Sequence, residues 1–275
     1  IDGRPQVTTP VVTDPVLRAK KNLVEAEAYL ELGRIFHSMG LVDGARDKSE
    51  EGLDRVNPII RDSRTNPIPR DLLEQAFKLK WELYLVVGDY RSAIATCRQF
   101  NVLFPDSPFV DSALMSIAAA RMEEGDLNEA IGIYRQVLRL PASQVKAEAS
   151  FRIAEALEKQ YGPEHDKTIA QYKHCAERYP ESPFAGEAVA KLVDYYISTN
   201  DFAQADDLLE RIFEDYPDAK WLDSMLLKWV IVSYRTGDFA KSLEKCDQLV
   251  FEYPSSRFAE RAKEIRPRIE ARLNR

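Results

Sequence analysis

The sequence predicts an all-α protein built from repeated helical hairpins. A turn motif that contains proline recurs at nearly constant spacing, and a second turn motif, glycine followed by aspartate, recurs in phase between its copies. Between the turns, apolar residues follow the three- and four-residue spacing of one helix face. A fixed period of roughly 20–50 residues is typical of architectures in which hairpins stack and bury a continuous core.

The proline motif reads aromatic, proline, polar, small, any residue, aromatic. It occurs at 104–109, 179–184, 216–221 and 253–258, and 140–143 is a degenerate copy. Its prolines are separated by 36, 39, 37 and 37 residues: Pro105, Pro141, Pro180, Pro217 and Pro254. Because proline lacks the backbone N–H and clashes with the preceding turn, each of them is expected to end a helix.

The second motif predicts the tight turn inside each hairpin. Its copies are Gly88-Asp89, Gly125-Asp126, Asn200-Asp201 and Gly237-Asp238. Glycine and asparagine tolerate the left-handed conformation that ends a helix, and aspartate can cap the next helix by accepting backbone N–H bonds. Each unit is therefore predicted as helix A, tight turn, helix B and proline turn.

Helix A of each unit is predicted to bury one apolar face. The set Tyr29, Leu32, Gly33 and Phe36 lies 11, 8, 7 and 4 residues before Gly40. The set Val189, Leu192, Val193 and Tyr196 holds the same offsets before Asn200. Such spacing places all four residues of a set on one side of a helix, so we expect both sets in the core.

These residues resemble the tetratricopeptide repeat (TPR) family, in which helix B carries alanine, an aromatic residue and then proline. Ala130 and Tyr134 ahead of Pro141 match that order, whereas Cys97 and Cys246 replace the aromatic residue. The longer step and the Tyr-Pro-x-Ser turns look like the repeats of bacterial envelope proteins of the barrel-assembly lipoprotein and Tol–Pal coordinator type. The resemblance implies a right-handed superhelical solenoid of about six hairpins plus a C-terminal capping helix.

The repeat divides the chain into nine segments. Residues 1–16 are predicted as an extended tail rich in proline and threonine, 17–57 as the first hairpin and 58–69 as a proline-rich linker loop. Five further hairpins are predicted at 70–105, 106–141, 142–180, 181–217 and 218–254, and a capping helix at 255–275. The turn at 161–165 is longer than the others.

The family resemblance also implies where a partner would bind. In that family helix A lines the concave groove, and the groove positions alternate with the core positions. Carried over, they are Gln75, Lys78, Glu82 and Leu85; Ser112, Met115, Ala119 and Met122; Glu187, Ala190, Asp194 and Ile197; and Ser224, Leu227, Ile231 and Tyr234. A helix or an extended protein segment is the expected ligand.

Composition and motifs argue against several other functions. Residues 81–256 carry 18 Lys/Arg against 29 Asp/Glu, and such an acidic body does not suit nucleic acid. No phosphate-binding loop or nucleophile elbow is present, and the three histidines lack the spacing of a metal site. We therefore expect no enzyme activity, no cofactor and no metal. The odd number of cysteines, three, does not indicate a disulfide framework.

Three hypotheses for the function remain open. The first is a protein-binding scaffold in a bacterial envelope complex, periplasmic or envelope-associated, that meets the membrane only through an N-terminal anchor ahead of Ile1 or through a partner. The second is a cytoplasmic adaptor or regulatory region of a larger protein. The third, an enzyme on a helical solenoid, requires a deep pocket with convergent carboxylates. A signal or anchor encoded upstream would favour the first hypothesis.

Overall fold

A computed structural model describes residues 14–274 of the chain. Within that range it contains thirteen α-helices and no strand, as predicted for an all-α repeat solenoid. The chain divides into two compact units: unit 1 runs to Ser143 and unit 2 begins at Gln144. No helix in the described range is long and apolar enough to cross a membrane.

Unit 1 contains six helices. They are α1 (Pro15–Ser38), α2 (Val42–Asp62), α3 (Arg70–Val86), α4 (Tyr90–Leu103), α5 (Val110–Glu123) and α6 (Leu127–Arg139). Consecutive helices pack against each other, and α1 also contacts α3. The hairpins therefore stack side by side, because each A helix contacts the B helix before it and the B helix after it.

Unit 2 contains seven helices with the same order of contacts. They are α7 (Lys146–Tyr161), α8 (Asp166–Arg178), α9 (Pro183–Ser198), α10 (Phe202–Asp215), α11 (Leu222–Thr236), α12 (Phe239–Glu252) and α13 (Arg257–Leu273). Consecutive helices pack together, and the contacts α7 with α9 and α11 with α13 join neighbouring hairpins. Ser256 caps α13, since its hydroxyl accepts a hydrogen bond from the backbone N–H of Phe258 at 3.0 Å.

The tight turns have the predicted chemistry. The backbone φ is positive at Gly88, Gly125 and Gly237, and Asn200 takes the same left-handed conformation at φ 61°. The next residue, an aspartate, accepts a hydrogen bond from the backbone N–H three residues later: Asp89 from Ser92, Asp126 from Glu129, Asp201 from Gln204 and Asp238 from Lys241. The prediction of these caps is confirmed.

The cores lie between the two helices of a hairpin and between successive hairpins. In unit 1 the side chains of Phe77, Trp81, Phe100 and Phe104 form an aromatic cluster between α3 and α4, with ring centroids 5.2–6.1 Å apart. In unit 2 one cluster of buried residues extends from α9 to α13. The predicted core residues Val189, Leu192 and Val193 are buried in unit 2.

The predicted boundary at Pro58 is wrong. Helix α2 continues through Pro58 to Asp62, so that the linker contains only residues 63–69. Proline removes one helical hydrogen bond and costs about 3 kcal/mol in a helix interior. The apolar stripe of Val56 and Ile59 spans the proline and is buried, and this packing outweighs the local cost.

Two further predictions for the N-terminal part need correction. The predicted tail included residues 15 and 16, but Pro15 is the first residue of α1 and the carboxylate of Asp14 caps the helix; residues 1–13 lie outside the described range. Leu32, predicted in the core, is 40% exposed. The buried face of α1 contains Gly33, as predicted, together with four residues outside the predicted set: Ala19, Leu23, Ala26 and Leu30.

Candidate functional site

A cleft in unit 1 lies between the A helices α1 and α3. Its volume is about 710 Å³. The side chains of Leu23, Leu30 and Leu72 form an apolar floor, with Leu79 beside them. Phe109, the residue before α5, contributes to the rim. The other rim side chains are polar or charged: Lys20, Glu27, Glu31, Arg34, Gln75, Lys78 and Glu82.

Part of the rim is an ion-pair network that connects the two helices. Arg34 of α1 bonds Glu31 at 2.5 Å and reaches Glu82 of α3 at 3.0 Å. On the same side Lys78 lies 3.8 Å from Glu82, and its ammonium group is 5.3 Å from the ring centroid of Phe109. These contacts fix the side chains on both walls, so that the cleft is largely preformed.

Other rim residues are available to a ligand. Lys20, Glu27 and Gln75 are exposed and have no ion-pair or side-chain hydrogen-bond partner in the part of the chain that the structure describes. Together they offer one positive charge, one negative charge and an amide beside the apolar floor. Such a surface suits a short protein segment that inserts an apolar side chain and pairs its own polar groups along the rim.

The structure brings three of the predicted groove residues together, and it adds residues that the sequence analysis did not name. Gln75, Lys78 and Glu82 form the α3 wall. The opposite wall carries Glu27 and Arg34 of α1. A signal for them was present, since Glu27 and Arg34 lie 13 and 6 residues before Gly40, the offsets at which Gln75 and Glu82 precede Gly88.

The other predicted residues of unit 1 do not line this cleft. Leu85, Ser112 and Met115 are half-buried on α3 and α5. Met122 is only 8% exposed, and its sulfur accepts a hydrogen bond from the hydroxyl of Tyr134 at 3.5 Å. The prediction that Met122 faces a groove is therefore wrong, because the end of α5 turns this side chain toward α6.

The predicted residues of unit 2 lie in varied environments. Asp194 of α9 pairs with Lys228 of α11 at 2.5 Å, whereas the ring of half-buried Tyr234 packs edge-on against Phe239. The hydroxyl of Ser224 donates to the carbonyl oxygen of Trp221 at 2.7 Å. Leu227 packs against the unit 2 core, and Glu187 lines a separate pocket at the proline turns. The ion pair between Asp194 and Lys228 connects neighbouring hairpins, because α9 and α11 are the A helices of successive units.

That pocket, which we call the turn pocket, is formed by two successive proline turns. Its volume is about 450 Å³. Glu181, Glu187, Asp215 and Asp218 give it four carboxylates beside Lys220, and aromatic rings line its base: Tyr216 and Trp221. Gly186 lies beneath the rings, where an added Cβ would be 3.0 Å from Cγ of Tyr216. The acidic charge and the aromatic faces would suit a cationic side chain.

No histidine or cysteine lines the cleft or the turn pocket. Burial raises the pKa of the Cys175 and Cys246 thiols to about 11 and that of Cys97 further, so the reactive thiolate is disfavoured. In residues 14–274 no group of three or more His, Cys, Asp or Glu side chains could hold a metal ion.

Comparisons with known proteins agree with the repeat pattern. Residues 148–182, which contain most of α7 and all of α8, match the family model described as tetratricopeptide repeat. No curated protein matches the sequence.

Solved structures are similar to nearly the whole chain. The apo form of RapI is 11% identical with a TM-score of 0.60, over 89% of this chain and 80% of RapI. PilF of Pseudomonas aeruginosa is 11% identical with a TM-score of 0.51, over 89% of this chain and 99% of PilF. PilW is 16% identical with a TM-score of 0.51, over 86% and 96%. The chain therefore has the all-α fold of a helical-repeat solenoid, and residues 148–182 are similar to a tetratricopeptide repeat.

Proposed function

We propose that this protein is a non-catalytic scaffold of a bacterial cell-envelope complex, and that it holds a segment of a partner protein in the cleft between α1 and α3. The observation that carries the proposal is the cleft itself: an apolar floor of buried leucines beneath a rim of fixed ion pairs and exposed polar groups. Repeated helical hairpins commonly present such surfaces to protein ligands.

The composition of the cleft indicates the class of ligand. Its charged lining contains Lys20, Arg34 and Lys78 against Glu27, Glu31 and Glu82, so the rim has no net charge. A highly charged tail or a nucleic acid gains little from such a rim. A segment with one or two large apolar side chains, flanked by polar groups of both signs, matches both the floor and the rim.

The envelope location is supported by the turn sequences and by the description of one structural neighbour. The Tyr-Pro-x-Ser turns resemble those of bacterial envelope repeat proteins, and PilW is described as a widely conserved type IV pilus biogenesis factor. Fractionation of cells that produce the full-length gene product tests the location. We expect the protein in the periplasmic or membrane fraction, and recovery in the cytoplasmic fraction would favour the adaptor hypothesis.

Site-specific photo-crosslinking tests the cleft. A photoreactive phenylalanine derivative at Gln75 should capture a defined partner in the native cell, because Gln75 is exposed on the cleft rim. The matched control replaces Gln99, which is exposed on α4 outside the cleft. A product specific to position 75 is expected. Identical products from both positions, or none from either, would contradict the proposal.

A charge reversal tests whether the captured partner occupies the cleft. Glu27→Lys changes an exposed rim carboxylate without breaking a described ion pair. We expect the crosslink at position 75 to weaken by at least about tenfold, since a polar contact at a rim is replaced by repulsion. An unchanged crosslink yield with Glu27→Lys would place the partner outside the cleft.

A further inference from the structure

Successive proline turns are bridged by a serine and an aspartate at two places in the chain. In unit 1 the hydroxyl of Ser143 donates to the carboxylate of Asp111 at 3.0 Å. In unit 2 the hydroxyl of Ser256 donates to the carboxylate of Asp223 at 2.7 Å. In both pairs the serine is the second residue after the proline of one turn, and the aspartate is the sixth residue after the proline of the turn before it. One polar contact therefore connects each of these pairs of turns.

At the turn pocket both members of this bridge are replaced. The aspartate position is Gly186 and the serine position is Ala219, so neither side chain can form a hydrogen bond. At the remaining pair of turns only the aspartate is replaced, by Ala147, and the serine is kept as Ser182. The two turns without the bridge border the cavity of about 450 Å³, and Ala219 is one of its lining residues.

Two aromatic rings give the turn pocket its shape. The absence of a side chain at Gly186 lets both rings lie close to α9, because an added Cβ would be 3.0 Å from Cγ of Tyr216 and 3.3 Å from Cζ2 of Trp221. The hydroxyl of Tyr216 donates to the carbonyl oxygen of Pro180 at 3.0 Å, which fixes this ring across the two turns. Both aromatic residues are half-buried and line the pocket, so part of each side chain is open to a ligand.

Most carboxylates of the turn pocket have no partner of their own. Glu181, Glu187 and Asp218 make no ion pair and no side-chain hydrogen bond within residues 14–274. Asp215 lies 3.9 Å from an arginine of α10. Four carboxylates against the one ammonium group of Lys220 give the lining residues a net charge of −3. The pocket therefore combines aromatic surface with negative charge that the described part of the chain leaves largely uncompensated.

We propose that the turn pocket binds an arginine side chain of a partner protein. The guanidinium plane lies against an aromatic ring, and its N–H groups donate to the carboxylates. A guanidinium group stacks on indole and phenol faces and bonds a carboxylate through two parallel N–H groups, whereas the ammonium group of lysine is a compact point charge. The net negative charge of the lining attracts such a cation.

The arrangement of the carboxylates and the size of the cavity favour an organic cation over a metal ion. No group of three or more His, Cys, Asp or Glu side chains in residues 14–274 is arranged to hold a metal ion, so the carboxylates of the pocket do not converge on one point. The cavity of about 450 Å³ is within the range of pockets that bind organic ligands. The proposal does not depend on the cleft of unit 1, since the turn pocket lies entirely in unit 2.

Nuclear magnetic resonance of the tryptophan indole N–H groups tests the pocket with a small probe. N-acetyl-arginine amide should shift the Trp221 signal, which is assigned by its absence from Trp221→Phe. The signals of Trp81 and Trp229 are internal controls, because these residues are 0% and 5% exposed and lie outside the pocket. N-acetyl-citrulline amide has a similar shape without the charge and should bind at least about tenfold more weakly. N-acetyl-lysine amide should bind about threefold or more weakly than the arginine probe.

Substitution of the carboxylates tests their contribution. Glu181→Gln combined with Glu187→Gln should weaken binding of the arginine probe by at least about tenfold, because two of the unpaired acceptors lose their charge. The matched control is Glu210→Gln, which removes an exposed carboxylate of α10 outside the pocket and should leave binding unchanged. Unchanged circular dichroism would show that both variants are folded.

Restoring the bridge tests whether its loss opens the pocket. Gly186→Asp combined with Ala219→Ser recreates the pair found at Asp223 and Ser256 and should abolish the shift of the Trp221 signal. Ala219→Ser alone is the control and should keep it, because the added hydroxyl has no aspartate to bond. If the double variant does not fold, the carboxylate variants still decide the question.

Four results would each overturn the proposal. They are no Trp221 shift with the arginine probe at up to about 50 mM, equal affinities for the arginine probe and either of the other two probes, equal binding by the Glu181/Glu187 variant and the Glu210 control, and a shift that is largest at Trp81 or Trp229. Crosslinking at Gln75 reports on the cleft alone, so the two proposals fail separately.

Discussion

The first hairpin and the hairpin of α11 and α12 follow the same sequence pattern but differ at two places. Leu32 of α1 is 40% exposed, whereas Trp229, at the same offset from its turn, is 5% exposed. The turn of the later hairpin has the capping residue Asp238, and the first has Leu41, which makes no side-chain cap. The repeat pattern therefore fixes which residues face a neighbour, and the presence of that neighbour decides whether they are buried.

The largest expected effect compares Trp229 with Leu32. Trp229→Ala should lower the free energy of unfolding by about 3–5 kcal/mol, because it leaves a cavity between α10 and α11 and removes the partly buried hydrogen bond to Asp206. Leu32→Ala should cost about 1 kcal/mol or less, since its side chain is 40% exposed and leaves no enclosed cavity. Urea denaturation measures both losses, and equal losses would show that the two side chains have similar environments.

Two glycines in B helices sharpen the comparison between covered and uncovered surfaces. Gly52→Ala should destabilise by about 1–3 kcal/mol, because the new Cβ overlaps the side chain of Leu83. No atom lies within 4 Å of the Cβ position at Gly132. Gly132→Ala should therefore stabilise α6 by about 0.5–1 kcal/mol through helix propensity. If α3 covers Gly52, the two substitutions should shift the midpoint temperature of thermal unfolding in opposite directions.

The caps give a smaller pair of effects with opposite signs. Asp238→Ala should cost about 1 kcal/mol, since the backbone N–H of Lys241 loses its acceptor. Leu41→Asp should gain about 0.5–1 kcal/mol, because Leu41 already has φ −86° and ψ 72°, close to the φ −82° and ψ 75° of Asp238. If Leu41→Asp does not raise the urea midpoint, another part of the first turn prevents the cap from forming.

The smallest expected effect is alkaline destabilisation through the covered thiols. Cys246 packs under α13, where its thiol lies 3.3 Å from the carbonyl oxygen of Ala262, and burial raises its pKa from 9.0 to about 11. The folded state holds this proton more tightly than the unfolded state. Stability is therefore unaffected below about pH 9 and falls as the pH rises toward about 11.

A variant with Cys175→Ala and Cys246→Ala measures the thiol contribution. Its stability should fall less steeply than that of the unmodified chain between pH 9 and about 11 when urea midpoints are compared. Some loss should persist in the variant, because burial also raises the pKa of tyrosines such as Tyr172 and Tyr216. Identical slopes would show that these thiols are already accessible to solvent in the folded state.

Much of the fold follows from local chemistry that a sequence displays. The left-handed turn at Gly237 and the cap at Asp238 are local, so one short motif predicts them. The helix through Pro58 is not local, because the burial of Val56 and Ile59 against α3 and α1 outweighs a breaker that acts within one turn. The sequence pattern carries no direct record of that contact.

The cleft was predictable only in part for the same reason. The offset from Gly88 identified Gln75, Lys78 and Glu82, and the same offset from Gly40 would have identified Glu27 and Arg34. The burial of Met122 could not be read in this way, because it depends on how the last turn of α5 meets Tyr134 of α6. The turn pocket requires two proline turns that are 37 residues apart to lie side by side.

The ion pair between Arg34 and Glu82 has a mechanical consequence. It crosses from one hairpin to the next at the rim of the cleft, so any tension that separates α1 from α3 must lengthen this 3.0 Å contact before the apolar floor opens. A ligand bound across both walls would resist the same separation. The affinity for a ligand and the stiffness of the first two hairpins would then be coupled. A force that separates α1 from α3 would therefore lower the affinity for the ligand.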